Sequence, residues 1–188
     1  MEKERTLVLV KPDGVVRNLV GRILTRFEDA GLKIVGMKMV WVDEEFAGRH
    51  YSESLIPILG RKSRESYEKH GIEFDDTEEG RGKKVRESLL KYLTDGPVVA
   101  MVLEGVGAVD NVRKIVGATG PSDSQPGTIR GDFAHVSIAY ANIKGKMIKN
   151  LIHASGNKED AKVEVLLWFE GSELHTYKTV HDIVCFDE

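Results

Sequence analysis

Cysteine is nearly absent from this chain, and long apolar runs do not occur in it. The single cysteine, Cys185, excludes a framework of internal disulfides. No apolar run is long enough to cross a bilayer, and the amino-terminal residues MEKER lack the apolar core of a signal peptide. A net charge of −3 argues against broad electrostatic binding to nucleic acid. We therefore expect a cytoplasmic protein without membrane or nucleic-acid partners.

Familiar phosphate-binding motifs are also missing. The sequence has no G-x-x-x-x-G-K-[ST] loop and no G-x-G-x-x-G fingerprint. The segment Gly105-Val106-Gly107 follows an apolar stretch but lacks the third glycine. The H-R-D and D-F-G segments of protein kinases do not occur either. A nucleotide site in this chain would have to be built without a glycine-rich cradle.

The composition and the apolar pattern predict one globular α+β domain over residues 1–188. Apolar residues make up 41% of the chain and charged residues 30%. The pattern predicts strands at residues 6–10, 32–42, 97–104 and 151–153. It predicts the clearest helices at residues 108–116 and 158–169. The order of elements favours helices packed on an antiparallel sheet.

Three segments fit this pattern poorly. Residues 52–82 are polar and charged, with irregularly spaced apolar residues, and we interpret them as an excursion from the core. Residues 117–132 form a long loop, and a loop of that length is usually functional or mobile. Residues 133–140 are predicted to be extended.

The strongest functional signal lies in residues 150–156, with the sequence NLIHASG. Apolar residues run into His153, small residues follow, and a helix is predicted to begin at Asn157. This arrangement places an imidazole at a strand end, beside backbone N–H groups that favour an anion. The other five histidines lack such a context and are interpreted as structural: His50, His70, His135, His175 and His181. A metal site of His175, His181 and Cys185 matches no common zinc spacing.

Other residues could support phosphate chemistry on His153. Glu164 lies on the next helix, where its carboxylate could fix the imidazole tautomer, although an exposed glutamate is the commoner case. Arg113 and Arg130 carry forked donors that suit phosphate, with surface salt bridges as the alternative. Lys11 ends a predicted buried strand.

Several segments together resemble the nucleoside diphosphate kinase family. The matching segments, in the order of the family and across nearly the whole chain, are KPDGV at 11–15, HY at 50–51, GPVVAMV at 96–102, TGP at 119–121, PGTIRGDF at 126–133 and NLIHAS at 150–155. The resemblance implies a ferredoxin-like α/β sandwich. It also implies transfer of the terminal phosphate of a nucleoside triphosphate to a nucleoside diphosphate, by a ping-pong mechanism through a phosphohistidine.

The resemblance also implies roles for individual residues. His153 would be the nucleophile, Glu164 would orient it, and Tyr51 would lie next to it. The phosphates would be held by Lys11, Arg113, Thr119 and Arg130. Asn150 would contact the sugar, and Ser155 matches the serine after the histidine. Mg²⁺ would be bound through the nucleotide phosphates rather than in a protein cage, and the chain would form a homo-oligomer, as a hexamer in most members.

The chain departs from the usual family pattern in two insertions, at residues 52–82 and 134–149, and in this respect is similar to a longer archaeal subtype. The aromatic residue that usually stacks on the base is replaced by Val85, with Leu89 one turn further on. We therefore predict that residues 52–82 form a mobile helical flap near the base.

Two other functions fit parts of this pattern. One is a non-enzymatic nucleotide-sensing member of the same fold, against which the intact set of matched residues argues. The other is a histidine phosphocarrier fed by a partner kinase. A carrier has no need of the sugar contact that Asn150 is expected to make, so we favour the enzyme.

Overall fold

The computed structural model describes residues 3–186 and contains a four-stranded antiparallel sheet. The strands are β1 (Lys3–Val10), β2 (Lys33–Val40), β3 (Val98–Val106) and β4 (Ile152–Ala154). Their order across the sheet is β2-β3-β1-β4, and every neighbouring pair is antiparallel. This arrangement, with helices packed on the sheet, is the ferredoxin-like α+β fold predicted from the sequence.

Helices connect the strands and pack on both faces of the sheet. Their bounds are α1 (Pro12–Val16), α2 (Val20–Glu28), α3 (Glu44–His50), α4 (Ile56–Lys69), α5 (Glu78–Thr94), α6 (Ala108–Val116), α7 (Ile129–Phe133), α8 (Ile138–Ile143), α9 (Lys158–Trp168) and α10 (Val180–Phe186). Within residues 3–186, no helix is both long enough and apolar enough to cross a membrane.

Two apolar cores lie on opposite faces of the sheet, because successive side chains of a strand point to opposite faces. Val8 and Val10 of β1 join the core under α2 and α6, where Phe27 is fully buried. Leu7 and Leu9 join the core under α5 and α9, which contains Trp168. Burying one such large apolar side chain contributes roughly 1.5–3 kcal/mol. Both cores therefore hold β1 and its carboxyl end in place.

The segment at residues 52–82 is helical, as predicted. Its helix α4 lies directly against α5, and glycines allow the two backbones to touch. A Cβ atom on Gly60 would lie 1.9 Å from the carbonyl oxygen of Glu78, and one on Gly82 would lie 2.2 Å from that of Ile56. Helix α5 begins at a cap in which Thr77 Oγ1 accepts from the N–H of Gly80 at 3.0 Å. The two helices thus form a tightly packed hairpin.

The extended conformation predicted for residues 133–140 holds at Ala134 and Ser137 but is wrong at Phe133 and at residues 138–140. Helix α7 continues to Phe133, and α8 begins at Ile138. The hydroxyl of Ser137 accepts a hydrogen bond from the N–H of Tyr140 at 3.0 Å and caps α8. The β-forming residues of this segment are therefore overridden by a local helix cap.

Candidate active site

A cavity of about 500 Å³ opens beside the end of β1 and the start of β4. The inserted helix α4 and helix α5 form one wall, and the end of α6 with residues 117–119 after it forms another. The structure brings together all ten residues that the sequence predicted for the site, and they all line this cavity: Lys11, Tyr51, Val85, Leu89, Arg113, Thr119, Arg130, Asn150, His153 and Glu164.

A tight turn directly precedes β4. Leu151 is fully buried and has a φ of 70°, which is unusual for a residue with a branched side chain. The N–H of Ile152 donates to the carbonyl oxygen of Asn150 at 2.8 Å, which closes a γ-turn around Leu151. The carbonyl oxygen of Leu151 accepts from the N–H of Lys11 at 2.8 Å. This strained turn ties the end of β1 to the start of β4, next to His153.

His153 is held by a carboxylate and a serine. Its Nε2 lies 3.0 Å from Oε2 of Glu164 on α9. The same oxygen accepts from Oγ of Ser155 at 2.6 Å, and that Oγ accepts from the N–H of Leu7 at 3.2 Å. Within the described residues, Nδ1 of His153 has no hydrogen-bond partner. The network assigns the proton to Nε2 and leaves the lone pair of Nδ1 free for a new bond.

Glu164 is suited to its place in this network. Burial acts to raise the pKa of Glu164, but the charge and hydrogen bond of His153 outweigh it, so the net pKa is lowered. An ionised Glu164 accepts from both His153 and Ser155. It therefore favours the tautomer with its proton on Nε2.

His50 lines the same cavity, although the sequence analysis interpreted it as structural despite its place beside Tyr51 in a matched segment. Its ring lies 4.6 Å from the His153 ring, centroid to centroid, in an edge-to-face arrangement. Its Nδ1 accepts from Nε1 of Trp168 at 3.2 Å, and its buried Nε2 has no partner. Burial, followed by the neighbouring His153, lowers the pKa of His50 to about 3. A neutral, tautomerically fixed ring thus packs against the candidate nucleophile.

Lys11 is buried at the end of β1 without a carboxylate bonded to its ammonium. Its Nζ donates to Oδ1 of Asn150 at 2.9 Å and lies 5.1 Å from the centre of the Tyr92 ring. Burial, followed by the charge of Arg130, lowers the pKa of Lys11 to about 7. Asn150 in turn donates from Nδ2 to the carbonyl oxygen of Thr119 at 2.9 Å. Asn150 therefore links the buried lysine to the loop after α6.

Arg130 is buried, and four backbone carbonyl groups accept its hydrogen bonds. Nε donates to Asn150, Nη2 to Ile152, and Nη1 to both Gly117 and Ala118, over 2.6–3.2 Å. Burial lowers the pKa of Arg130 to about 10. Because carbonyl groups do not neutralise a guanidinium, its positive charge remains directed at the cavity. Arg130 also joins the loop after α6 to β4.

Arg113 and Tyr51 complete this end of the cavity in different ways. Arg113 is exposed on α6, with one long contact of 3.5 Å from Nη1 to the carbonyl oxygen of Ser155. Tyr51 is buried, and burial raises the pKa of its hydroxyl. Its backbone carbonyl accepts from Nε of Arg86 at 2.7 Å. Arg113 thus keeps donors free for a ligand, and Tyr51 carries a neutral hydroxyl.

Aliphatic side chains line another part of the cavity, where polar groups such as Lys84 and Ser88 of α5 accompany them. Val85 is half-buried and Leu89 buried on α5, and Leu55, Ile58 and Leu59 join them from the inserted segment. Helix α8 and the residues after it contribute Ile138, Met147 and Ile148. Both segments interpreted as insertions therefore help to form the cavity wall. Val85 lines the cavity with these aliphatic neighbours, in keeping with the replacement of the usual aromatic residue by Val85 in the sequence.

Comparisons with known proteins agree with this geometry. The nucleoside diphosphate kinase family model matches residues 4–56 and 61–174. The chain belongs to the nucleoside diphosphate kinase family. It is 46% identical over 176 residues to the nucleoside diphosphate kinase of Pyrococcus furiosus, covering 94% of this chain and 89% of that protein. The resemblance stated from the sequence, including its archaeal character, is confirmed.

Two solved structures share the fold over nearly the whole chain. One is a transition-state mimic of the nucleoside diphosphate kinase from Borrelia burgdorferi with bound vanadate and ADP. It is 40% identical, covers 96% of this chain and 95% of that chain, and has a TM-score of 0.82. The other is the kinase from Pyrobaculum aerophilum, 40% identical, covering 93% of this chain and 100% of that chain, with a TM-score of 0.86. As a member of the nucleoside diphosphate kinase family, the chain transfers phosphate between nucleotides through a phosphohistidine.

Enzymes of the nucleoside diphosphate kinase family use a divalent cation. In the described part of the chain, one cluster has the composition of a metal site: His50, His153 and Glu164, with ligand atoms within 4.8 Å of one another. Two imidazoles and a single carboxylate do not suit Mg²⁺, which prefers oxygen ligands and retains several waters. Lys11, Arg113 and Arg130 line the same cavity and bring positive charge to it. This cluster, found among residues 3–186, is therefore not suited to hold Mg²⁺.

Proposed function

We propose that Nδ1 of His153 is the atom that carries the phosphate. Its lone pair attacks the terminal phosphorus of a nucleoside triphosphate, and the bond to the bridging oxygen breaks. The nucleoside diphosphate leaves with that electron pair. A terminal oxygen of a second nucleoside diphosphate then attacks the phosphohistidine and regenerates the free imidazole. The contact between Nε2 and Glu164 carries this proposal, because it leaves Nδ1 as the free nitrogen.

Lys11, Arg113, Thr119 and Arg130 are proposed to hold the phosphates. All four residues line the same cavity, and no carboxylate of residues 3–186 forms an ion pair with Lys11, Arg113 or Arg130. Phosphoryl transfer needs positioning and charge stabilisation more than covalent help from the protein. Tyr51 would contribute a neutral hydroxyl beside His153. Mg²⁺ would be carried by the nucleotide phosphates, whose negative charge it neutralises.

Val85 and Leu89 are proposed to cover the base, and Asn150 to contact the sugar. An aliphatic surface offers no base-specific hydrogen bonds, so we expect purine and pyrimidine nucleotides, with ribose or deoxyribose, to serve as substrates. Four further statements stay predictions from the sequence. They are the homo-oligomeric assembly as a hexamer, the cytoplasmic location, the absence of nucleic-acid partners and the single domain over residues 1–188.

A phosphoenzyme experiment tests the role of His153. The purified protein is incubated with Mg²⁺ and ATP labelled on its terminal phosphate, and the labelled residue is identified by mass spectrometry. We expect acid-labile, base-stable label on His153 that unlabelled nucleoside diphosphates discharge. Label on another residue would overturn the proposal. Label on His153 that nucleoside diphosphates do not discharge would favour the phosphocarrier.

A further inference from the structure

One face of the first turns of the inserted helix α4 lines the cavity. Residues three and four positions apart share a helix face, and the residues of this face are Ile58, Leu59, Lys62 and Ser63. The face begins with aliphatic side chains, near Val85 and Leu89. One turn later, about 6 Å along the helix axis, it presents an ammonium group. The order of apolar and cationic groups matches a base followed by phosphates.

Lys62 faces the same space as the cationic residues of the opposite wall. It lines the cavity with Arg113 and Arg130, and it also lines a second, adjoining cavity with Thr119. Burial, followed by the charges of Arg113 and then Arg61, lowers the pKa of Lys62. Cations that repel one another across a cavity favour an anion between them.

The other cations of α4 all have carboxylate partners. Arg61 pairs with Glu65 at 3.7 Å, Arg64 pairs with Glu68 and Glu78 at 2.7 and 2.6 Å, and Lys69 pairs with Asp123. Within residues 3–186, Lys62 makes no ion pair or hydrogen bond. It is therefore the cation of α4 whose ammonium remains available to a ligand.

We propose that Lys62 binds the terminal phosphates of the nucleotide and that α4 is thereby a substrate-binding helix. This inference rests on the proposed function, because it places a further cation at the same phosphate site. Ile58 and Leu59 cover the base, and Lys62 reaches the phosphates from the same face. A nucleotide then connects the inserted wall to Arg113 and Arg130. The alternative is a solvated lysine that contributes only long-range positive charge.

The matched variants Lys62→Met and Arg61→Met separate these two roles. Each removes one positive charge from the same turn of α4, but only Lys62 lines the cavity. Affinities for ADP and AMP are measured by calorimetry with the full chain, and melting curves confirm that the variants fold. We expect Lys62→Met to lower the affinity for ADP roughly tenfold or more, as for loss of a charge-assisted hydrogen bond. The affinity for AMP, which lacks the terminal phosphate, should fall much less. Lys62→Arg should retain most of the affinity for ADP.

Arg61→Met should change the ADP affinity by less than about threefold, since exposed charges act weakly through solvent. Equal effects of the two methionine variants on ADP would overturn the proposal, as would equal losses of ADP and AMP with Lys62→Met. The unmodified protein is tested in parallel for label on His153. If His153 is not labelled, the proposed function fails. If it is labelled and the two variants bind ADP alike, only the inference about Lys62 fails.

Discussion

The two walls of the cavity are built in different ways. On the wall formed by the strand ends, Arg130 is fixed by four carbonyl groups, and Asn150 bridges Lys11 to the loop after α6. On the inserted wall, α4 is held by backbone contact with α5 and by partly exposed ion pairs such as Arg64 with Glu78. Exposed ion pairs contribute about 0–1 kcal/mol each. The groups for the chemistry are thus preorganised, whereas the inserted helix is held by weaker forces.

The largest effect is expected from removing the imidazole of His153 while both walls of the cavity stay in place. His153→Ala should lose phosphate transfer by roughly 10³-fold or more, because no other free nucleophile replaces Nδ1. Binding of ADP and the melting temperature should change little. Steady-state assays with ATP and a second nucleoside diphosphate measure the loss. His135→Ala, which alters an exposed histidine outside the cavity, is the control and should remain active. Substantial activity in His153→Ala would exclude this nucleophile.

The second prediction separates a cation fixed in the core from one at the surface. Both Arg130→Ala and Arg113→Ala should weaken ADP binding about tenfold, since each removes a charge-assisted bond to phosphate. Arg130→Ala should also lower the free energy of unfolding by roughly 2–4 kcal/mol, because buried carbonyl groups lose their donor. Arg113→Ala should change it by no more than about 0.5 kcal/mol. Denaturant titrations and calorimetry measure both quantities.

Equal loss of stability in these two variants would show that Arg130 does not hold the loop after α6. Unchanged affinity for ADP in both variants would show that the two arginines do not bind phosphate and have structural or surface roles only.

The third prediction concerns the orientation of His153. Glu164→Gln keeps the shape of the side chain but removes the charge that favours the tautomer with its proton on Nε2. The transfer rate should fall about tenfold, while the affinity for ADP should stay within about twofold. Glu159→Gln, on the exposed part of the same helix, is the matched control. Rapid-mixing measurements of phosphoenzyme formation give the rate. A parallel loss of binding would place Glu164 in contact with nucleotide instead.

The smallest predicted effect is a pH dependence of binding. The pKa of Lys11 is lowered to about 7, so at pH 8 most of this lysine is neutral. A bound polyphosphate favours the charged form and raises the pKa, so binding at pH 8 should take up nearly one proton. Between pH 7.5 and 8.5 the affinity for ADP should fall on the order of fivefold. Calorimetry in buffers of different ionisation enthalpy measures the uptake. Lys11→Met should take up fewer protons when ADP binds. An unchanged proton uptake in this variant would assign the proton to a group other than Lys11.

Most of the fold could be predicted from the sequence because local patterns agree with the tertiary structure. Helix α6 has the predicted bounds, and α9 ends one residue earlier than predicted. In both, apolar residues at helical spacing identify the buried face. The failure at residues 133–140 has a local cause, since the cap at Ser137 outweighs the β-forming residues that follow it.

The site could be predicted only in part, because some of its contacts depend on residues far apart in the chain. His50 is fixed by Trp168, which follows it by 118 positions. The one sequence signal was its place beside Tyr51 in a matched segment. Lys62 lies in a charge-rich segment, whose composition indicates solvent exposure but not which lysine faces a cavity. The γ-turn at Leu151 has no signal, because leucine rarely adopts a positive φ.

Hydrogen exchange with and without ADP tests the difference between the two walls most directly. The amides of α4 and of residues 70–77, which join it to α5, should gain protection when ADP binds, because the nucleotide links this wall to the phosphate site. The amides of β1 and β4, held by the sheet and the strained turn at Leu151, should change little. If protection of α4 is the same in both states while the loop after α6 responds to ADP, the inserted helix does not act as the predicted flap. The proposed difference between the two walls is then contradicted.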